Sequence, residues 1–67
     1  MLIRSKSENV LVDFNESGVF WAGGYICCGC NGVTVKLKST SSYQESSKLL
    51  DEIQEAFIRG EKIFTIE

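Results

Sequence analysis

The sequence VFWAGGYICCGCNGVTVKLK, residues 19–38, contains three short apolar segments separated by two glycine-containing dipeptides. The Asn31-Gly32 dipeptide is the strongest short-range signal for a β-hairpin, because both residue types tolerate a positive φ. Gly23-Gly24 separates two segments that are rich in aromatic and β-branched residues, as strands are. Residues 33–38 alternate apolar and polar side chains, as in a strand with one buried face. This stretch predicts an antiparallel β-meander.

Two more strands are predicted before this stretch, at Leu2–Lys6 and Val10–Phe14. A turn at Ser7-Glu8-Asn9 separates them, since these polar residues favour turns. The second strand is followed by Asn15-Glu16-Ser17-Gly18, whose final glycine suits a four-residue hairpin connection. The first part of the chain is therefore predicted to be almost entirely β-structure.

The rest of the chain predicts one helix and one terminal strand. Ser42 and Glu45 have the spacing of a capping box, and Gly60 suits the residue that follows a helix. Between them, the apolar residues and one serine lie on one face of the predicted helix: Tyr43, Ser46, Leu49, Leu50, Ile53, Ala56 and Phe57. Residues 62–66 read as a short final strand. The predicted fold, for residues 1–67 as a single domain, is α+β: a small antiparallel β-meander of four to five strands with one C-terminal amphipathic helix packed on one face.

Self-association is predicted from the ratio of helix to sheet. One helix covers only part of a sheet of four or five strands, whereas the strands carry many large apolar side chains. These include Phe20, Trp21, Tyr25, Phe64 and Ile66. A homo-oligomer, and in particular a homodimer, would bury the remaining apolar surface.

Composition argues against several classes of function. The chain has 67 residues, a net charge of −2, and no histidine or proline. Without histidine there is no Ser-His or Cys-His couple and no histidine metal ligand, so the protein is predicted not to be an enzyme and to need no cofactor. The first residues carry interleaved charges and no long apolar run, so we expect a cytoplasmic protein without a membrane segment.

The cysteine cluster Cys27-Cys28-Gly29-Cys30 is the least ordinary feature of the sequence. A zinc site usually takes two separated pairs of ligands, and the spacing is not the Cys-x-x-Cys of redox dithiols. The favoured interpretation is that these cysteines are small buried apolar residues, and no metal site is predicted. Metal binding and thiol chemistry remain alternatives.

A possible binding surface is indicated by basic residues that lie near aromatic ones in the predicted sheet. The candidate binding residues are Arg4, Lys6, Trp21, Tyr25, Lys36 and Lys38. If they share one exposed sheet face, they resemble a platform for single-stranded nucleic acid, where bases stack and phosphates pair with cations. The alternative is a solvated outer face with an aromatic residue packed in a dimer.

Both ends of the chain resemble a family of short phage and prophage proteins of Gram-positive bacteria. Met1-Leu2-Ile3-Arg4-Ser5 and Val10–Phe14 match its opening, while Tyr43, residues 49–56 and Lys62-Ile63-Phe64 match its C-terminal helix and strand. The middle, from Gly23 to Gly32, does not match, and Thr65-Ile66 stands where the family usually has Met-Pro. The resemblance implies a mobile-element origin. It implies no particular activity, because the family has no settled one.

The favoured hypothesis is thus a non-enzymatic phage or prophage accessory protein that works by binding. Small phage proteins often inhibit host systems stoichiometrically, so the expected partners are a second copy of the chain and a host protein such as a defence factor. The alternatives are a small nucleic-acid-binding module that uses the basic and aromatic residues, and a metal or thiol site at the cysteine cluster.

Overall fold

A computed structural model of the protein describes residues 1–13, 18–30 and 32–67, with the backbone alone at Cys30. The predicted α+β class is confirmed. In chain order the elements are β1 (Leu2–Ser5), β2 (Val10–Asp13), β3 (Gly18–Ala22), β4 (Tyr25–Cys30), β5 (Val33–Ser39), α1 (Tyr43–Ile58) and β6 (Ile63–Ile66). Phe14, and the predicted turn that follows it up to Ser17, lie outside the described residues.

The described strands form two three-stranded sheets, where the sequence predicted one meander of four to five strands. Sheet A has the order β2-β1-β6 and sheet B the order β3-β4-β5. The division arises because β1 pairs in parallel with β6, from Leu2↔Ile63 to Ser5↔Ile66. The second neighbour of β1 is therefore the last strand of the chain, and β3 begins a separate sheet. Every other strand pair is antiparallel.

The hairpins follow the local turn chemistry. Strands β3 and β4 pair up to Ala22↔Tyr25, so Gly23 and Gly24 alone connect them, with φ of 60° and 82°. Two successive positive φ values define a turn whose twist matches that of the flanking strands. Strands β4 and β5 pair as predicted on either side of the second dipeptide, although Asn31 itself lies outside the described residues.

The helix begins and ends at the predicted residues. Ser42 is the N-cap, and its Oγ accepts a hydrogen bond from the backbone N–H of Glu45 at 3.1 Å. The carboxylate of Glu45 in turn accepts from the hydroxyl of Ser41. At the other end Gly60, with φ of 77°, donates to the carbonyl of Phe57, and Glu61 donates to that of Ala56. This pair of bonds is the Schellman motif.

One core joins both sheets and the helix. Its buried members are Ile3, Ile26, Cys28, Leu37, Ile53 and Ile66. A β-bulge in β5 supplies one of them: Ile26 pairs with Lys38 and Cys27 with Lys36, so Leu37 has no directly opposite residue. The extra residue lets Leu37 turn fully into the core, where burial of such a side chain stabilises the fold by about 1.5–3 kcal/mol.

Candidate binding surfaces

The outer face of sheet B, which is turned away from the core, holds an aromatic and basic cluster. Because Ile26 and Cys28 face the core, the alternating residues Tyr25 and Cys27 face outward. The Nζ of Lys36 lies 4.5 Å from the centre of the Tyr25 ring, a cation–π contact. Phe20 is opposite Cys27 on the neighbouring strand and is exposed. Phe20, Tyr25 and Lys36 thus form a continuous outer surface.

Cys27 is buried although it lies on this outer face. It is 3% exposed, and its thiol donates a hydrogen bond to the Tyr25 carbonyl at 3.6 Å. Phe20 and Lys36 flank it on either side as its cross-strand partners. Cys28 is buried in the core, so the predicted burial is confirmed for these two cysteines. The described residues contain no cluster of three or more side chains placed to hold a metal ion, and the Cys30 side chain lies outside that description.

Trp21, in β3, contacts the first residue of the helix. Its ring makes an edge-to-face contact with Tyr43, with the ring centroids 6.1 Å apart and an angle of 72° between the planes. Both aromatic residues remain partly exposed. Trp21 alternates with Phe20 along β3, so the sheet separates it from the aromatic and basic cluster of the outer face.

Lys6 and Lys38 both contact Glu67. The Nζ of Lys38 donates to the Glu67 backbone carbonyl at 2.9 Å, and the Nζ of Lys6 lies 3.6 Å from the Glu67 carboxylate. The second pair is largely exposed, so its contribution to stability is small. The ion pair offsets part of the positive charge of Lys6, whereas the carbonyl leaves the charge of Lys38 in place.

Arg4 lies in sheet A, and its guanidinium donates to the Asn9 side-chain oxygen at 3.0 Å. The structure therefore places the six candidate residues in four locations: Tyr25 with Lys36, Trp21 with Tyr43, Lys6 with Lys38, and Arg4 with Asn9. The expected shared face does not form, because the strands belong to two sheets. The bulge at Leu37 also separates Lys36 from Lys38, although they are only two residues apart.

The outer face of sheet A carries an apolar patch, which we define as Leu2, Leu11 and Ile63. These side chains are 38%, 56% and 48% exposed. Leu2 is opposite Ile63, and Leu11 is opposite Arg4, two residues along β1 from Leu2. Leu2 and Leu11 are thus diagonal neighbours, about 7–8 Å apart, on the same face of the sheet. Sequence reasoning did not select these residues, although Leu11 visibly alternates out of phase with Val10 and Val12.

A groove of about 350 Å³ lies where β5, α1 and β6 meet. Helix α1 contributes Glu45, Lys48, Leu49 and Glu52 to it. The strands and the segment after β5 contribute the rest of the lining, namely Lys38, Thr40, Phe64, Thr65, Ile66 and Glu67. Its size is at the lower end of the range typical for ligand sites. The groove was not predicted from sequence, because its lining comes from segments that are distant along the chain.

Thr40 is an unusual part of the groove lining. It is only 7% exposed, and its Oγ1 has no hydrogen-bond partner among the described residues. Its backbone N–H is satisfied by the carbonyl of Gly24. A buried hydroxyl without a partner costs about 1–3 kcal/mol, so a bound polar group that satisfied it would gain affinity.

Comparison of the chain with protein-family models, with curated proteins and with solved structures found no match. Among the described residues, no helix combines the length and the apolar character that crossing a membrane requires.

Proposed function

We propose that this protein acts by binding other protein chains and not by catalysis, as a phage or prophage accessory protein that inhibits or modulates a host protein such as a defence factor. The observation that carries the binding role is the apolar patch of Leu2, Leu11 and Ile63 on the outside of sheet A. Contiguous exposed apolar side chains are a feature of interaction surfaces, whereas singly scattered ones are normal on any protein surface. The phage origin is supported by the resemblance at both ends of the chain.

A second copy of the chain is the proposed occupant of the apolar patch. Arg4 and Asp13 lie on the same face of sheet A as the patch, opposite Leu11 and Leu2 respectively. In a two-fold interface the same patch of both copies meets, so Arg4 of one copy can face Asp13 of the other across the apolar centre. A standard interface covers about 800 Å² per partner, which is under a fifth of the 4380 Å² surface of this protein.

Light scattering at micromolar concentration tests self-association. The expected mass is twice the 7.5 kDa of one chain. Leu11→Lys with Ile63→Lys should return the mass to that of a monomer, because the patch would then carry two unpaired ammonium groups. Val33→Lys is the matched control, since Val33 is also exposed but lies on sheet B. A wild-type monomer, or a dimer that survives the double substitution, contradicts the proposed interface.

The host-directed role is tested by expressing the gene in a Gram-positive bacterium that carries one of a panel of phage-defence systems. Expression of the wild-type chain should raise the plating efficiency of a phage that one of those systems restricts. The control is the same gene with an early stop codon, which keeps the transcript and removes the protein. Equal plating with both genes across the panel would contradict the inhibitory role.

The aromatic and basic cluster of sheet B favours a second candidate function, binding of single-stranded nucleic acid. Lys36 over the Tyr25 ring, next to the exposed Phe20, provides one cation and two rings for stacking. A titration of single- and double-stranded DNA against salt tests this candidate. Binding that weakens with salt and is lost in Lys36→Gln supports it, whereas no binding at roughly 50–100 mM salt rules it out.

A further inference from the structure

We propose that the groove where β5, α1 and β6 meet binds a free α-amino acid with an aliphatic side chain, such as leucine. The carboxylate of this ligand bonds to Lys38 and Thr40, its ammonium lies beside the glutamates of α1, and its side chain contacts the apolar lining. This site goes beyond the proposed protein-binding function and is separate from the apolar patch. Phe64 and Ile66 line the groove, whereas Ile63 of the patch lies on the other face of sheet A.

The hydroxyl of Thr40 indicates that the groove receives a hydrogen-bonding group. Thr40 is buried, and its Oγ1 is the one buried side-chain oxygen or nitrogen that lacks a partner among the described residues. Rotation about χ1 moves this oxygen between three staggered positions, so the hydroxyl can turn toward the groove that Thr40 lines. A hydroxyl donates to a carboxylate, and hydrogen bonds to charged groups are the stronger class. A ligand carboxylate would therefore satisfy an atom that the folded chain leaves unpaired.

Lys38 supplies a positive charge to the same part of the lining. It lies in β5, and Thr40 follows directly after the end of that strand. The Nζ of Lys38 donates to the neutral backbone carbonyl of Glu67 at 2.9 Å, so its charge stays in the groove. An ammonium has three donors, and this carbonyl is its only partner within the described part of the chain. The strand side of the groove thus combines a cation with a hydroxyl, and both groups bind a carboxylate.

The helical side of the groove supplies the opposite charge. Glu45, Lys48 and Glu52 are three and four residues apart on α1, so they lie along one side of the helix, next to Leu49. Among the residues that the structure describes, neither glutamate forms an ion pair. Two carboxylates therefore flank the single ammonium of Lys48, and both are available to the ammonium of a ligand.

The balance of charge in the groove favours a ligand that carries both signs. The lining includes two ammonium groups, on Lys38 and Lys48, and three side-chain carboxylates. One of these carboxylates, that of Glu67, already pairs with Lys6, which does not line the groove. A ligand that is only anionic meets the two glutamates of α1, and a ligand that is only cationic meets the two lysines. A zwitterion places each of its charges against the opposite sign, so charge complementarity selects it.

The volume and the apolar lining of the groove determine the size of the ligand. The volume of about 350 Å³ is at the lower end of the range for ligand sites, which suits one small molecule. Leu49, Phe64 and Ile66 provide the apolar surface, and burial of an aliphatic side chain against them adds affinity. In an α-amino acid, both charges are attached to the carbon that carries the side chain. A single small ligand of this class therefore meets the cationic, acidic and apolar parts of the lining together.

The test titrates leucine into the full chain labelled with ¹⁵N, up to about 10 mM, so that a dissociation constant of about 1 mM is measurable. We expect saturable shifts of the amide resonances of Thr40, Leu49 and Ile66. Two analogues keep the side chain and lose one charge: 3-methylbutylamine lacks the carboxylate, and 4-methylpentanoate lacks the ammonium. Each should bind at least about fivefold more weakly, because it loses the interactions of one charged group. An analogue that binds as tightly as leucine, no saturable shifts, or shifts confined to Leu2 and Leu11 would overturn the proposal.

Substitutions at Thr40 test the role of its hydroxyl. Thr40→Val keeps the shape of the side chain and removes the unpaired hydroxyl, so the thermal midpoint should stay unchanged or rise while leucine binds at least about fivefold more weakly. Thr40→Ser keeps the hydroxyl and should bind leucine as the wild type does. Full binding by Thr40→Val, or an equal loss in Thr40→Ser, would overturn the proposal. The comparison of the two analogues needs no substitution, so it decides the outcome if Thr40→Val does not fold.

Glu52→Gln tests the helical side of the groove. It removes one carboxylate from the lining, so leucine should bind about two- to fivefold more weakly, the size expected for an exposed charge pair, and 4-methylpentanoate should bind more tightly. Glu55→Gln is the matched control, since Glu55 is exposed on the same helix but does not line the groove. Unchanged leucine binding in Glu52→Gln, or the same loss in Glu55→Gln, would contradict the placement of the ligand ammonium and overturn the proposal.

Discussion

The hydroxyl of Ser5 in β1 donates a hydrogen bond to the backbone carbonyl of Leu37 in β5. This contact joins the two sheets at the bulge, and both residues are fully buried. The same Oγ accepts from the N–H of Glu8 at 3.3 Å, which fixes the turn that follows β1. One side chain therefore connects sheet A, sheet B and the first hairpin.

Ser5→Ala should destabilise the protein by about 1–3 kcal/mol, because it leaves a buried carbonyl at the bulge without this donor. Urea denaturation followed by circular dichroism measures the change. Ser7→Ala is the control, since Ser7 is exposed in the same hairpin. An unchanged denaturation midpoint for Ser5→Ala would show that the contact between the sheets does not contribute to stability.

Gly24→Ala should cost about 1–2 kcal/mol of unfolding free energy, because residue 24 has φ of 82° and an L-residue is strained there. The loss does not come from a steric clash, since an added Cβ would lie 4.0 Å from its nearest atom, the Thr40 carbonyl oxygen. Gly24→Asn should lose less, since asparagine tolerates this conformation. Equal thermal stability of the alanine variant and the wild type would contradict the turn geometry. Gly18→Ala, in open space, serves as the control.

Ser42→Ala should lower the stability by about 0.5–2 kcal/mol, because the N–H of Glu45 loses its capping acceptor. Ser42→Asp should retain most of the stability, since aspartate is an equally good cap. Ser47→Ala, within the helix, is expected to be neutral or slightly stabilising. The three variants can be ranked by their thermal midpoints. A loss in Ser47→Ala as large as that in Ser42→Ala would indicate a general effect of serine removal and not capping.

The contact between Lys36 and Tyr25 should give a coupling energy of about 0.5–1 kcal/mol in a double-mutant cycle, the range for exposed cation–π pairs. The cycle uses Lys36→Gln, Tyr25→Leu and the double variant, each measured by chemical denaturation. Strictly additive losses would mean that the ammonium and the ring do not interact in solution.

Local features of the fold could be predicted from sequence, whereas its long-range pairing could not. The Ser42 cap, the helix end at Gly60 and the turn at Gly23-Gly24 each depend on chemistry within a few residues, and all three are confirmed. The pairing of β1 with β6 depends on residues about sixty positions apart. Alternation shows which face of a strand is buried, but it does not identify the neighbouring strand.

The candidate surfaces were only partly predictable for the same reason. The proximity of Tyr25 and Lys36 follows from a predicted hairpin of neighbouring strands. The groove depends on how β6 is placed beside α1, and the bulge at Leu37 leaves no signature in an otherwise regular alternation. A one-residue insertion in β5 was enough to send Lys36 and Lys38 to different partners.

The parallel pairing of β1 with β6 has a consequence for the order in which the protein acquires its structure. During synthesis on the ribosome, β1 emerges well before Ile63–Ile66, its parallel partner, because the other described elements lie between them in the chain. Until then sheet A is a two-stranded hairpin, which is marginally stable in water. The nascent chain therefore exposes one edge of β1 until β6 has emerged and can pair with it.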